Sequence, residues 1–91
     1  MKKYVVERNL PGIGASSKED IAQAATTSCK AIQSMNHKVQ WVDSFVSKDK
    51  TYCVYLAESE DAIKEHSKLS GFPADVISEV AMMIDPTTAN L

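Results

Sequence analysis

Hydrophobic and polar residues follow two different periods along the first third of the chain. Residues 3–9 are rich in β-branched and aromatic side chains, which predicts a strand, and the turn at Pro11 and Gly12 ends it. Ser17 then provides the N-cap of an amphipathic helix that ends near Asn36. Apolar and small residues recur along this helix at steps of three and four, and they define its inward face: Ile21, Ala24, Ala25, Ser28, Ile32 and Met35.

The middle of the chain predicts a hairpin and a second helix. Residues 38–47 and 51–57 favour two strands, joined by a tight connection at residues 47–50. Ser59 is placed to cap the helix that follows, and Gly71 suits its left-handed end. The positions of this helix that are predicted to face inward are Ala62, Ile63, His66 and Leu69.

Residues 76–84 add a last strand, so the order is strand, helix, strand, strand, helix, strand. Two β-α-β halves in this order predict a ferredoxin-like βαββαβ fold of the α+β class. It has a four-stranded antiparallel sheet with both helices on one face and the first and third strands in the centre. The 91 residues suffice for one domain, which we predict over residues 1–84, followed by a C-terminal tail over 85–91.

The strands at 51–57 and 76–84 are apolar in both of their side-chain phases. The sheet face that the helices leave bare is therefore apolar as well, and a soluble monomer would expose it to water. We expect a second copy of the chain to cover it, which gives a homodimer of the dimeric α+β barrel type. The alternative is that the second phase is only weakly apolar and faces water.

The hairpin connection decides which side chains share a face. A two-residue turn would pair Asp43 with Val54 and bury a carboxylate under the helices, whereas a three-residue loop pairs it with Cys53 or Tyr55. We prefer the three-residue loop. The face away from the helices is then predicted to hold Val5, Glu7, Trp41, Asp43, Phe45, Cys53 and Tyr55. The face under the helices is predicted to hold Tyr4, Val6, Val42, Val46, Tyr52, Val54 and Leu56.

Two carboxylates, Glu7 and Asp43, lie inside predicted strands, where acidic residues are depleted. On the preferred face they have Trp41 and Tyr55 as neighbours, which is typical of an apolar pocket with a few polar groups. They can ligate a divalent cation, or one can act as a base. The simpler interpretation is that each pairs with a lysine or with water at the sheet edge.

Arg8 and His66 lie on the opposite side of the predicted sheet from this pocket. Arg8 alternates with Glu7, and it can clamp an acidic ligand or a backbone carbonyl, or brace a loop. His66 faces inward from the second helix, as a metal ligand, a proton carrier or a hydrogen-bonded core residue. We keep Arg8 as a candidate ligand-binding residue, and we keep His66 as a candidate metal ligand although it cannot readily join Glu7 and Asp43.

Charge and composition exclude several partner classes. Ten basic residues against twelve acidic ones give a net charge of −2, and Arg8 is the only arginine, so nucleic-acid binding is disfavoured. No apolar run approaches about 18 residues, so we expect no membrane partner. Two cysteines do not make a disulfide framework, and reduced thiols in the cytoplasm are the default.

Four stretches of the chain are informative: residues 4–12, 41–46, 50–55 and 62–75. Within a match over about residues 3–80, they resemble a small bacterial family of uncharacterised domains, one branch of which is a nickel-binding protein. The resemblance implies a stand-alone dimeric ferredoxin-like protein and makes nickel a candidate cofactor. The nickel-binding branch is rich in histidine, whereas this chain has only two. A harder cation is therefore as plausible as nickel, because carboxylates are harder ligands.

Three functions remain open at this point. The first is a cytoplasmic homodimeric binding module that holds a divalent metal or a small ligand through Glu7 and Asp43. The second is a dimeric-barrel enzyme in which these carboxylates transfer protons on a small organic substrate beside Trp41 and Tyr55. In the third, the domain only dimerises and its pocket is filled.

Overall fold

The computed structural model describes residues 1–90, and its main elements follow the predicted order. They are β1 (Lys2–Asn9), α1 (Lys18–Ser34), β2 (Val39–Val46), β3 (Lys50–Ala57), α2 (Glu60–Ser70) and β4 (Val76–Glu79). Two short 3-10 helices lie at Ile13–Ala15 and Pro86–Asn90. The strands form one antiparallel sheet in the order β2-β3-β1-β4, with β1 and β3 in the centre. The predicted ferredoxin-like α+β fold is confirmed.

Local capping interactions set the beginnings and ends of the helices. The Ser17 hydroxyl accepts a hydrogen bond from the backbone N–H of Asp20 (3.1 Å), and Ser59 does the same for Ala62 (3.2 Å). Gly71 follows α2 with φ 82°, a left-handed conformation that glycine adopts without strain. The predicted caps are therefore all present.

The inward face of α2 differs from the prediction at one position. Ala62, Ile63 and His66 are buried as expected, but Leu69 is 54% exposed. Ser70 is buried in its place, because it lies one helical turn beyond His66 and continues the same ridge.

The last strand is shorter than the predicted segment 76–84. β4 pairs with β1 from Glu7 opposite Val76 to Tyr4 opposite Glu79, and the N–H of Val80 then donates to the carbonyl of Lys3 (2.8 Å). β4 cannot extend much further, since β1 itself begins at Lys2. The residues that follow leave the sheet, and three large apolar side chains there are largely exposed: Met82, Met83 and Ile84.

The hairpin register corrects the preferred pairing. Asp43 lies opposite Val54, which is the pairing expected for a two-residue turn and not the preferred one. The N–H of Ser47 donates to the carbonyl of Lys50 (2.8 Å), which closes this two-residue turn. The carboxylate is nevertheless not buried under the helices, because Val54 itself faces away from them. A β-bulge between Trp41 and Asp43 shifts the register by one residue, so these two side chains lie on opposite faces.

The face assignment is therefore correct for β1 and wrong for β3. Directly opposite residues of antiparallel strands share a face, and Cys53 lies opposite Val6, which is fully buried under the helices. Tyr55 and Trp41 were also assigned to the wrong face. The residues of β3 that face the helices are Thr51, Cys53, Tyr55 and Ala57, and those that face away are Tyr52, Val54 and Leu56.

The hydrophobic core lies between the sheet and the C-terminal half of α1, together with α2. Its buried members are Tyr4, Val6, Met35, Val39, Cys53, Tyr55, Ala57, Ala62 and Ile63. The N-terminal half of α1 is less well covered, since Ile21, Ala24 and Ala25 are only half-buried. Because of this difference along α1, a space remains between its N-terminal half and the sheet.

Candidate functional site

A cavity of about 120 Å³ lies between the N-terminal half of α1 and the helix-facing side of the sheet. It forms there because α1 presents the short side chains of Ala24 and Ala25 to the sheet. Trp41, Cys53 and Tyr55 line it from the strands. The rest of the wall consists of Leu10, Ile13, Ile21, Val46 and Phe72 and of four polar residues, Arg8, Ser28, Ser44 and Thr51.

Arg8 is the one charged residue that the described part of the chain places on the cavity wall, and it is only 2% exposed. Its Nη1 donates to the carbonyl of Pro73 (2.6 Å) and to the Ser67 hydroxyl (3.3 Å), and its Nη2 donates to the phenol oxygen of Tyr55 (3.1 Å). The guanidinium also lies 5.9 Å from the centre of the Tyr55 ring, within range of a cation–π interaction. Arg8 therefore braces the loop after α2, one of the roles expected of it.

The buried charge of Arg8 has no carboxylate partner within residues 1–90. The ion pairs of this part of the chain join Lys2 to Glu79, Lys50 to Glu7, and Lys64 to Glu60. All three acceptors of Arg8 are neutral oxygens. Buried charges in proteins are normally paired, since desolvation of an unpaired ion is costly.

Tyr55 does not compensate this charge, because burial raises the pKa of its phenol, and the nearby Arg8 guanidinium only partly opposes that effect. The phenol is therefore neutral at physiological pH and acts as a hydrogen-bond acceptor for Arg8.

His66 lies behind the cavity and is fully buried. Its Nε2 is 3.1 Å from the Ser28 hydroxyl, and its ring packs 5.2 Å from that of Tyr55. Burial, and secondarily the charge of Arg8, lower the pKa of His66, while the backbone of Ser28 opposes the shift. His66 is therefore a neutral, hydrogen-bonded core residue, the structural role that was among those predicted.

The Ser28–His66 contact has the length of a nucleophile–base pair but lacks the group that would orient the base. Nδ1 of His66 is buried and has no hydrogen-bond partner in the described part of the chain. A catalytic histidine of this type normally donates that N–H to a carboxylate or carbonyl. Within residues 1–90, Ser28 and His66 are thus in contact without a group that orients the base.

The structure places Glu7 and Asp43 on one sheet face, as predicted, but this face is the one opposite the cavity. Glu7 pairs with Lys50 (3.6 Å between Oε1 and Nζ), which matches the simpler interpretation, and Asp43 is exposed. β3 separates the two carboxylates, so their backbones are roughly 10 Å apart. Trp41 and Tyr55 line the cavity instead, on the other side of the sheet.

A metal centre does not assemble from these residues. Over residues 1–90 no group of three or more His, Cys, Asp or Glu side chains is close enough to hold a metal ion. The sheet also separates His66 from Glu7 and Asp43, so the predicted ligand set is not brought together.

Three of the four polar residues of the cavity wall were not predicted as site residues: Ser28, Ser44 and Thr51. Ser28 was assigned only to the inward face of the helix. The alternation of Thr51, Cys53 and Tyr55 indicates that these three side chains share a face of the sheet. Only the register against β1 shows that this face is the one under the helices.

The fold and the cavity define a small ferredoxin-like α+β domain with a pocket between helix and sheet. A family model described as "Nickel responsive protein SCO4226-like" matches residues 4–80, and the chain therefore belongs to the SCO4226-like family. This confirms the resemblance to a family related to a nickel-responsive protein.

The comparison with solved structures agrees with the fold. The crystal structure of SCO4226 from Streptomyces coelicolor A3(2) matches with a TM-score of 0.76 over 90% of this chain and 99% of that chain. The two sequences are 16% identical, so this likeness supports the shared fold alone. A comparison with curated proteins gave no match. Among residues 1–90, no helix is both long and apolar enough to cross a membrane.

The lowered pKa of His66 predicts a pH dependence of stability. The unfolded chain binds a proton near pH 6.5, whereas the folded chain, with Arg8 from β1 and Tyr55 from β3 against the ring, binds it only at lower pH. The contribution of His66 to the stability of the folded chain is therefore complete above pH 6.5, and it is lost as the pH falls below that value. We expect the free energy of unfolding to fall by at most about 1.4 kcal/mol per pH unit through this group.

Chemical denaturation at several pH values between about 7.5 and 5 measures this effect. The matched variant is His66→Gln, which keeps a neutral polar side chain but cannot titrate. Its free energy of unfolding should decline less on acidification than that of the unaltered protein. Equal declines in both proteins would show that His66 does not control this part of the pH profile.

Proposed function

We propose that this protein is a homodimeric binding module that takes a small organic ligand into the cavity between α1 and the sheet. The observation that carries the proposal is an apolar cavity with a single buried charged residue, Arg8, on its wall. A predominantly apolar pocket with a few polar groups is the usual form of a small-molecule site. Both cysteines are free, which suits a reducing compartment such as the cytoplasm.

The cavity size limits the ligand. Its volume of about 120 Å³ is similar to that of engineered apolar cavities of about 150 Å³ that bind benzene. A ligand with one ring or a short branched chain therefore suits it.

Binding is better supported than the alternative of carboxylate-assisted proton transfer. Glu7 and Asp43 lie on the sheet face opposite Trp41 and Tyr55, so one substrate cannot contact both sets. The Ser28–His66 pair has no orienting third group among residues 1–90.

The proposed dimer rests on the sheet face that the helices leave uncovered. We call it the bare face; its apolar members are Val5, Phe45, Tyr52, Val54, Leu56 and Val76. Phe45 is 64% exposed, which is unusual for a large aromatic side chain in a strand. A contiguous apolar surface of this kind favours a protein partner.

The balance of charges favours a second copy as that partner, and the exposed segment 80–84 enlarges the apolar surface available to it. The bare face carries two lysines, Lys3 and Lys50, and two carboxylates, Glu7 and Asp43, so two copies do not repel each other. Four strands give a projected area of roughly 400 Å², and a standard interface needs about 800 Å² per partner. Segment 80–84 adds exposed apolar surface beside it, since Lys3 Nζ on this face contacts Met83 Sδ (3.1 Å).

The cavity predicts saturable binding of small aromatic probes. We expect benzoate or benzyl alcohol to raise the melting temperature and to shift the NMR signals of Trp41 and Thr51. Ala25→Phe fills the cavity from α1 and should abolish both effects. Ala22→Phe, on the exposed side of the same helix, is the matched control and should retain them. If neither probe binds the unaltered protein, the cavity is not a ligand site.

The bare face predicts a dimer in solution. Light scattering at micromolar concentration should report about twice the chain mass. Val54→Glu, at the centre of the bare face, should give a folded monomer, because a charge without a partner would be desolvated in the interface. Leu69→Glu alters an exposed leucine of α2 and should leave the dimer intact. A monomeric unaltered protein would contradict this part of the proposal.

Metal binding through Glu7 and Asp43 stays a prediction from the sequence and from the nickel-responsive description of the family. Because residues 1–90 of one chain hold no third ligand near them, such a site needs ligands from the second copy of the proposed dimer, and calorimetric titration with Ni²⁺ or Mg²⁺ tests it. The double variant Glu7→Gln and Asp43→Asn is the comparison. Saturable binding that this variant loses would establish a cation site at these residues.

A further inference from the structure

We infer that the ligand of the cavity is a small monocarboxylic acid whose carboxylate binds Arg8. This inference rests on the proposed function, since it names the chemical class of ligand for the same cavity. The juxtaposition that carries it is a buried, unpaired guanidinium on the wall of an otherwise apolar cavity.

The first argument is the missing counter-charge. Arg8 is buried together with neutral oxygens from Ser67, Pro73 and Tyr55, and none of the ion pairs of residues 1–90 includes it. A guanidinium stays charged in proteins, so it cannot escape the desolvation cost by losing its proton. An anionic group that enters the cavity would neutralise the charge.

The second argument is the number of unused donors. A guanidinium has five N–H groups, and the contacts of Arg8 use two at Nη1 and one at Nη2. The hydrogen bonds of Arg8 to residues 1–90 involve neither Nε nor the second N–H of Nη2. Two donors match the two oxygens of a carboxylate.

The third argument concerns the charge and size of the ligand. Among residues 1–90, Arg8 is the only charged residue that lines the cavity, and the other polar groups are the hydroxyls of Ser28, Ser44, Thr51 and Tyr55. The indole N–H of Trp41 already donates to Ser44 (2.9 Å). One cation with few further donors suits a monoanion better than a phosphate dianion, which requires several donors. The apolar walls suit the hydrocarbon part of the acid.

Matched probes that differ only in charge test the inference on the unaltered protein. Benzoate and benzamide have the same ring and nearly the same shape, and isobutyrate and isobutyramide form a smaller pair. We expect each acid to bind at least about tenfold more tightly than its amide, since charge-assisted hydrogen bonds are stronger than neutral ones. NMR titration gives both dissociation constants.

Two variants locate the source of the preference. Arg8→Gln should remove most of the preference for the acid and leave the affinity for the amide nearly unchanged, provided that the NMR spectrum shows a folded chain. Lys68→Gln removes an exposed charge from α2 and should leave the preference unchanged. The probe pairs are decisive by themselves if Arg8→Gln does not fold.

The outcomes separate the two proposals. Equal binding of acid and amide would overturn the carboxylate inference and leave the cavity as a site for neutral ligands. Binding of neither member of either pair would overturn both the inference and the proposed cavity function. An acid preference that survives in folded Arg8→Gln would assign the anion to a different position.

Discussion

The guanidinium of Arg8 connects more parts of the fold than any other polar side chain of residues 1–90. From β1 it reaches Tyr55 on β3, Ser67 on α2 and the carbonyl of Pro73 in the loop before β4. The charge also acts on its surroundings: it adds to the effect of burial that keeps His66 neutral. A buried cation without a counter-charge favours the binding of an anion, and the cavity lies next to this cation.

The β-bulge in β2 determines which aromatic residues meet this cation. Without it, strict alternation would give Trp41 and Asp43 the same face, and both would lie with Glu7. The extra residue turns Trp41 toward α1 while Asp43 keeps its place on the opposite face. The sheet thus separates an apolar, arginine-containing cavity from a face with mixed charges. The two surfaces are therefore the ones to which we assign the proposed partners, a small anion in the cavity and a second copy on the bare face.

Much of the fold could be predicted because the relevant interactions are local. Ser17, Ser59 and Gly71 act within one helical turn, and the inward faces of both helices follow from the helical period. Leu69 is an exception. Leu69 and Ser70 lie three and four residues after His66, so both fit the helical period, and only packing determines that Ser70 is the buried one. The caps and the helices can therefore be predicted from short segments of a single sequence.

The sequence by itself determined the order of elements, the fold class, and the placement of Arg8 and Glu7 on opposite faces of β1. Only the tertiary structure decided that Tyr55 joins Arg8, that Trp41 lies apart from Asp43, and that β4 ends at Glu79. The physical reason is that the register between strands depends on hydrogen bonds between distant residues, and a shift of one residue exchanges the two faces. Periodicity within a strand identifies two faces, but the neighbouring strands determine which face each residue joins.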